Sequence, residues 1–231
     1  MKTILITGAN RGIGLEFTQQ YAKTNDYRIF ACCRQPDQAD KLNELAKQYD
    51  TIQVMKLDIT HADDIQQCVE TLNNHGLDIL INNAGISGKG GINNNGIDAD
   101  NILDTIRVNA LAPLTLTDAL LPAIRQSQDK TIVNITSKMG SIGDNTSGGR
   151  YAYRTSKTAL NMLSRSLAVD LKPEGIKVAI IHPGWVQTDM GGPNALITTE
   201  ESVTHMRRLI GTIDLEQSGE FFSYDGKTIS W

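Results

Sequence analysis

Tyr153 and Lys157 stand four residues apart in the run Tyr151-Ala152-Tyr153-Arg154-Thr155-Ser156-Lys157. On a helix that spacing puts both side chains on one face. A free tyrosine ionises near pH 10 and is a poor proton donor or acceptor at neutral pH. A neighbouring ammonium favours the phenolate and brings the phenol closer to its working range. Just upstream, Ile132-Val133-Asn134-Ile135-Thr136-Ser137 reads as a strand that ends in hydroxyls. Ser137 there suits a hydrogen bond to a substrate carbonyl oxygen or to a developing alkoxide. Tyr151 is a second phenol nearby, but only Tyr153 has a lysine four residues on. Taken alone, such a pair is an ordinary helix face; the rest of the chain has to supply its purpose.

The N-terminal region supplies a partner. A first strand, Thr3–Thr7, runs into Gly8-Ala9-Asn10-Arg11-Gly12-Ile13-Gly14, and a helix follows. Glycines permit the sharp turn and the close approach of backbone to a pyrophosphate. The free N–H groups and positive end of the helix then face that anion. The spacing is G-x-x-x-G-x-G, weak by itself but placed where a dinucleotide needs it. At the end of the second strand, Arg34 occupies the place where an acidic residue would bind an adenosine ribose hydroxyl. An arginine there, with Arg11 in the glycine turn, suits the 2′-phosphate of NADP(H).

The elements that position these residues alternate. Strands are predicted over 3–7, 28–33, 52–57, 78–82, 131–135 and 177–181, with helices over 12–23, 37–49, 63–72, 102–121 and 152–171. The β-α order and the near-continuous apolar strands predict an α/β fold, a single doubly wound Rossmann domain over residues 1–231. Its sheet is expected to be mainly parallel, of about seven strands, with helices on both faces. Ser87–Asp100, Gly140–Arg150 and Gly184–Thr199 read as loops.

Composition narrows the function. The chain has 231 residues and a net charge of −4, which gives no electrostatic reason for a nucleic-acid partner. Three cysteines, two of them adjacent, suggest no disulfide framework. No Cys/His cluster has metal spacing, so no metal is expected. No apolar run has membrane length, and no secretory leader is visible. A cytoplasmic protein without a membrane partner is the expectation.

Together these residues resemble the short-chain dehydrogenase/reductase family along nearly the whole chain, with a finer similarity to the C-factor/sniffer-like carbonyl reductases. The motifs follow the family's order: Thr7–Gly14, Asp58, Asn82-Asn83-Ala84-Gly85, Asn109, Ser137, Tyr153 and Lys157, then Pro183-Gly184-Trp185-Val186-Gln187-Thr188. The resemblance implies roles. Asp58, followed by Ile59, would contact the adenine. Asn82, Asn83, Ala84 and Gly85 would line the cofactor and steady the sheet. Lys157 would also bond the nicotinamide ribose, and Asn109 would hold a water beside it in a proton relay. Tyr153 would be the general acid or base. Val186 and Thr188, after Pro183 and Gly184, would hold the carboxamide. Asn10, Gly12 and Ile13 belong to the phosphate turn. The interval from Ser137 to Tyr153 is longer than is common, which bears on the substrate pocket.

The expected reaction is NADPH-dependent reduction of a small-molecule carbonyl, or the reverse alcohol oxidation. A non-catalytic NADP-binding signalling protein on the same fold is the alternative, and a different reaction such as epimerisation a third. Retention of Ser137, Tyr153, Lys157 and Asn109 favours catalysis. The substrate pocket is expected between Ser87–Gly96, Met139–Arg150 and Trp185–Leu196. Resemblance also implies a homodimer, or a tetramer, formed through the two long helices.

Overall fold

The computed structural model describes residues 1–72, 75–89, 91–92 and 96–231. Seven parallel strands form one sheet in the order β3-β2-β1-β4-β5-β6-β7. They are β1 (Lys2–Thr7), β2 (Tyr27–Cys33), β3 (Ile52–Lys56), β4 (Ile79–Asn82), β5 (Thr131–Ile135), β6 (Lys177–His182) and β7 (Phe221–Ser223). The helices are α1 (Gly12–Ala22), α2 (Asp40–Gln48), α3 (Ala62–Leu72), α4 (Ala99–Ile106), α5 (Ala112–Arg125), α6 (Tyr151–Leu171) and α7 (Thr199–Thr212).

Successive side chains on each strand feed opposite cores. Ile4, Ile6, Ile29 and Ile181 pack with Phe17 of α1, Leu42 of α2 and Met206 of α7. Leu5, Phe30, Leu80 and Ile180 pack on the other face with Leu72 of α3, Leu120 of α5 and Ala168 of α6. A sheet buried on both faces explains why its strands read as continuous apolar runs. Strand order reverses between β1 and β4, where Ile4 is in register with both Ile29 and Ile79. Crevices at such reversals are where ligands bind, at the carboxyl ends of the strands.

Several expected boundaries move. The helix over 37–49 is a 3₁₀ turn at Pro36–Gln38 followed by α2. The long helix over 102–121 instead begins at Ala99, where Asp98 caps it by accepting from the Asn101 N–H at 3.0 Å. It is interrupted by a π turn at Arg107–Leu111 and then continues as α5. Pro113, four residues after Asn109, has no N–H to give the Asn109 carbonyl, so the regular α-helical ladder cannot pass that point. Helix α7 and strand β7 are absent from the sequence expectations. Thr198 caps α7 by accepting from Glu201 N–H at 3.1 Å. Val203, Met206 and Ile210 form its buried stripe.

Candidate active site

The glycine turn closes on itself tightly. Gly8 has φ +66° and Gly12 φ +53°, conformations that favour glycine. A Cβ on Gly14 would lie 2.2 Å from the Gly8 carbonyl oxygen and 2.6 Å from Asn83 Nδ2. No side chain caps the start of α1, where Arg11 is the N-cap, so its first N–H groups face the crevice. Asn83 Nδ2 donates to the Thr7 carbonyl at 2.9 Å, and the Asn83 and Ala84 N–H groups both donate to Thr7 Oγ1 at 3.0 Å. The carboxyl ends of β1 and β4 are thereby stapled side by side. These features fit a bound pyrophosphate.

At the ends of β2 and β3, Arg34 is exposed and Ile59 is buried. Asp58 accepts from the Thr60 N–H at 2.9 Å and from Thr60 Oγ1 at 2.7 Å. Burial pushes the Asp58 carboxyl up, but the Thr60 donors, with His61 and Arg34, bring it below its ordinary value. Arg11, expected to face a phosphate, pairs here with Asp189 at 2.8 Å across an exposed gap. That contact ties the glycine turn to the segment after Pro183.

The residues expected to move a proton meet at the ends of β4 and β5. Ser137 is buried and Tyr153 half-buried, while Lys157 is 5% exposed. Lys157 Nζ lies 5.9 Å from the centre of the Tyr153 ring, and the Arg150 guanidinium carbon lies 5.7 Å from it. Burial raises the Tyr153 pKa, with the Ser137 hydroxyl and the Arg150 charge pulling against it. Burial lowers the Lys157 pKa to about 8. Among the protein's own groups, Ser137 and Arg150 oppose the upward shift of Tyr153, rather than the lysine the spacing suggested.

Asn109 is buried within the π turn. Its Oδ1 accepts from Ile86 N–H at 2.8 Å, and its Nδ2 donates to the Ile86 carbonyl at 2.8 Å and to Ser156 Oγ at 2.9 Å. A Cβ on Gly85 would meet Asn109 Oδ1 at 3.0 Å and Lys157 Nζ at 3.8 Å, so the three lie together.

A buried polar ladder, missed in the sequence, holds α6 on the sheet. Asn82 Nδ2 donates to Asn134 Oδ1 at 2.8 Å, and Asn134 Nδ2 donates to Ser164 Oγ at 2.8 Å. Thr136 Oγ1 donates to Asn161 Oδ1 at 2.6 Å. Polar residues inside the apolar runs of β4 and β5 were the available signal, since buried polar groups need partners.

After β6, the Pro183 carbonyl accepts from Ser202 Oγ at 2.5 Å. Gly184 has φ +89°, and a Cβ there would strike Ile197 at 2.5 Å. Val186 is buried and pairs with Ile197, and Thr188 lies over the glycine turn: a Cβ on Gly12 would approach its Cγ2 to 3.3 Å. Ile142, Trp185, Met190 and Leu196 expose large apolar surfaces on the two loops expected to bound the substrate. Of the third expected wall, Ser87–Gly96, residues 90 and 93–95 lie outside the described residues. Among the described residues no cluster of His, Cys, Asp and Glu suits a metal, and no helix is long and apolar enough to cross a membrane.

The glycine turn and the Ser137–Tyr153–Lys157 group are joined through the segment after β4: a Cβ on Gly8 would meet Ala84 at 3.1 Å, and one on Gly85 would meet Lys157 Nζ at 3.8 Å. Residues 2–196 match the sequence profile described as short chain dehydrogenase. The C-signal protein of Myxococcus xanthus is 48% identical over 155 residues, covering 67% of this chain and 93% of its own. The structure of the carbonyl reductase Sniffer of D. melanogaster superimposes with TM-score 0.94 at 37% identity, covering all of both chains. The NADPH-bound carbonyl reductase from chicken fatty liver gives TM-score 0.92 at 34% identity, covering 100% of this chain and 99% of its own.

Proposed function

The chain belongs to the short-chain dehydrogenase family, and from that premise we propose that it is an NADPH-dependent carbonyl reductase that also catalyses the reverse alcohol oxidation. The observation that carries the proposal is the meeting of Ser137, Tyr153 and Lys157 at the end of β5, across the crevice from the uncapped start of α1. The NADP-bound state of similar carbonyl reductases supports the choice of cofactor.

Gly8, Asn10, Gly12, Ile13 and Gly14 would hold the pyrophosphate, Asp58 and Ile59 the adenine, and Arg34 with Arg11 the 2′-phosphate. Asn83, Ala84 and Gly85 would line the middle of the crevice. Pro183, Gly184, Val186 and Thr188 would hold the carboxamide end. Bound there, NADPH supplies the hydride. Ser137 donates a hydrogen bond to the substrate carbonyl oxygen, and Tyr153 passes its phenolic proton to that oxygen as charge develops. The Ser137 hydroxyl and the Arg150 charge favour the phenolate left behind, and Lys157, 5.9 Å from the Tyr153 ring centre, would bond the nicotinamide ribose. Asn109, packed against Gly85 near Lys157, positions the path by which the proton is replaced from water.

The C-signal relative gives the signalling alternative a specific basis, since its name is that of a signal. The retained and assembled proton-transfer set favours turnover. We also read residues 1–231 as one catalytic domain and the assembly as a homodimer, or a tetramer of two such dimers. Leu103 of α4 and Met162 of α6 are 64% and 66% exposed, an apolar surface suited to self-pairing. Three free buried thiols suit a reducing compartment such as the cytoplasm. The test is a panel of aldehydes and ketones with NADPH and NADH, following nicotinamide absorbance. NADPH-preferring turnover supports the proposal, and tight NADPH binding without turnover of any carbonyl refutes it.

A further inference from the structure

We propose that Arg150 is a specificity-determining residue that holds an anionic group, foremost a carboxylate, of the carbonyl substrate beside Tyr153. The proposal rests on the carbonyl-reductase function argued above and adds a substrate class to it.

The backbone is the first observation. Gly148, Gly149 and Arg150 have φ of +62°, +65° and +46°, three consecutive left-handed residues. Glycine adopts that region freely; arginine does not, and a strained residue beside an active site points to a use. The conformation is held from α6. Arg154 Nε donates to the Gly148 carbonyl at 3.2 Å, and its terminal nitrogen donates to Ser147 Oγ at 2.8 Å. The result is to seat the Arg150 guanidinium carbon 5.7 Å from the centre of the Tyr153 ring.

Charge is the second. Residues 138–157 carry Lys138, Arg150, Arg154 and Lys157 against one acid, Asp144, in a chain of net charge −4. Three of the four cations are occupied. Lys138 pairs with Asp144 at 3.0 Å, Arg154 bonds the loop, and Lys157 donates to the Ile135 carbonyl at 2.9 Å. Among the described residues, the Arg150 side chain has no carboxylate and no hydrogen-bond acceptor. It is exposed, on the loop expected to wall the substrate, with Ile142 of the same loop offering apolar contact. A guanidinium presents paired N–H donors that match a carboxylate, and a positive wall draws anions into the crevice. An aldehyde or ketone bearing a carboxylate on an apolar frame fits both features.

The probes are 4-carboxybenzaldehyde and its uncharged methyl ester, reduced with NADPH by the wild type and by Arg150→Gln, Arg150→Gly and Arg150→Lys. The wild type is expected to prefer the acid. Arg150→Gln should lower kcat/KM for the acid about tenfold or more beyond its loss for the ester, mostly through KM, the loss shared by both probes being that of the Arg150 charge on Tyr153. Arg150→Gly accepts the left-handed backbone without strain, so matching losses in it assign the effect to the side chain and not to the fold. Arg150→Lys should recover part of the acid activity. Equal losses on both probes, or no wild-type preference for the acid, would overturn the proposal. A wild type that binds NADPH but reduces neither probe nor any other carbonyl would instead remove the carbonyl-reductase function, and this proposal with it.

Discussion

Lys157 Nζ donates to the main-chain carbonyl of Ile135 at 2.9 Å, so the last residue of β5, not a carboxylate, fixes the ammonium. Burial with so little compensation lowers its pKa from 10.5 to about 8. The folded protein thus binds this proton less tightly than the unfolded chain does. The cost to stability is fully present below pH 8 and disappears as pH rises toward 10.5. Lys157→Met should therefore stabilise the fold at pH 7 while abolishing turnover. The gain is at most about 3 kcal/mol, less about 1 kcal/mol for the lost hydrogen bond. Thermal unfolding at pH 7 and pH 10 checks this: the variant should melt higher at pH 7, by an amount that shrinks at pH 10. A lower melting temperature at pH 7 contradicts it.

Tyr153→Phe removes the proposed proton donor and leaves the glycine turn intact. Reductase activity should fall by about 10²- to 10⁴-fold. NADPH affinity, read by fluorescence titration, should persist. A Tyr153→Phe protein with full turnover would sink the mechanism.

Gly14→Ala inserts a methyl group against the Gly8 carbonyl and Asn83, at 2.2 and 2.6 Å. The first contact is backbone and cannot swing away. The turn must open, at a cost of about 1–3 kcal/mol in stability. A melting curve should show that loss, and NADPH titration a weaker affinity. Wild-type values in both would mean that the turn yields to a methyl group.

Arg34→Asp places a carboxylate where a ribose hydroxyl could be bound and a 2′-phosphate repelled. The ratio of kcat/KM for NADPH to that for NADH should drop by about a hundredfold. If the wild type already prefers NADH, Arg34 does not face the cofactor.

Asp189→Asn breaks an ion pair whose partners, Arg11 and Asp189, have side chains 69% and 79% exposed. Such pairs contribute about 0–1 kcal/mol, so the melting temperature should scarcely move. Freed from its partner, Arg11 should bind the 2′-phosphate more strongly, lowering the Kd for NADPH while leaving that for NADH unchanged. Equal changes for both cofactors would place Arg11 away from the phosphate.

The fold was legible where the chain follows local rules. β1, β2 and β5 are apolar runs bounded by glycines or polar residues, and their period announces a buried sheet. Ser137, Tyr153 and Lys157 could be picked out because their types and spacing are chemical. What stayed hidden depends on tertiary context. β7 has three residues and is a strand only because β6 offers it an edge. The π turn at Asn109 was readable in principle from Pro113, but an amphipathic pattern runs smoothly through it. The Asn82–Asn134–Ser164 ladder needs three elements brought together before its polar atoms find partners. Arg150 reads as a loop residue in the sequence, because only the left-handed turn through Gly148 and Gly149 brings it beside Tyr153.

The interior place of β1, between β2 and β4, sets the order in which this protein can be assembled. Ile4 is matched by Ile29 on one side and by Ile79 on the other, so the first strand made waits for residues 79–82 before its second edge is satisfied. By then the adenosine half of the crevice can exist. Tyr153 and Lys157 come later, and β5, against which they rest, gains its outer neighbour only with residues 177–182. A chain halted between these stages carries a finished glycine turn beside a bare strand edge, that of β4 before residues 131–135 are made and that of β5 until residues 177–182 follow. Such an edge is a template for another chain. Fragments ending in that interval should therefore be recovered as aggregates, and so should residues 131–231 expressed without β4.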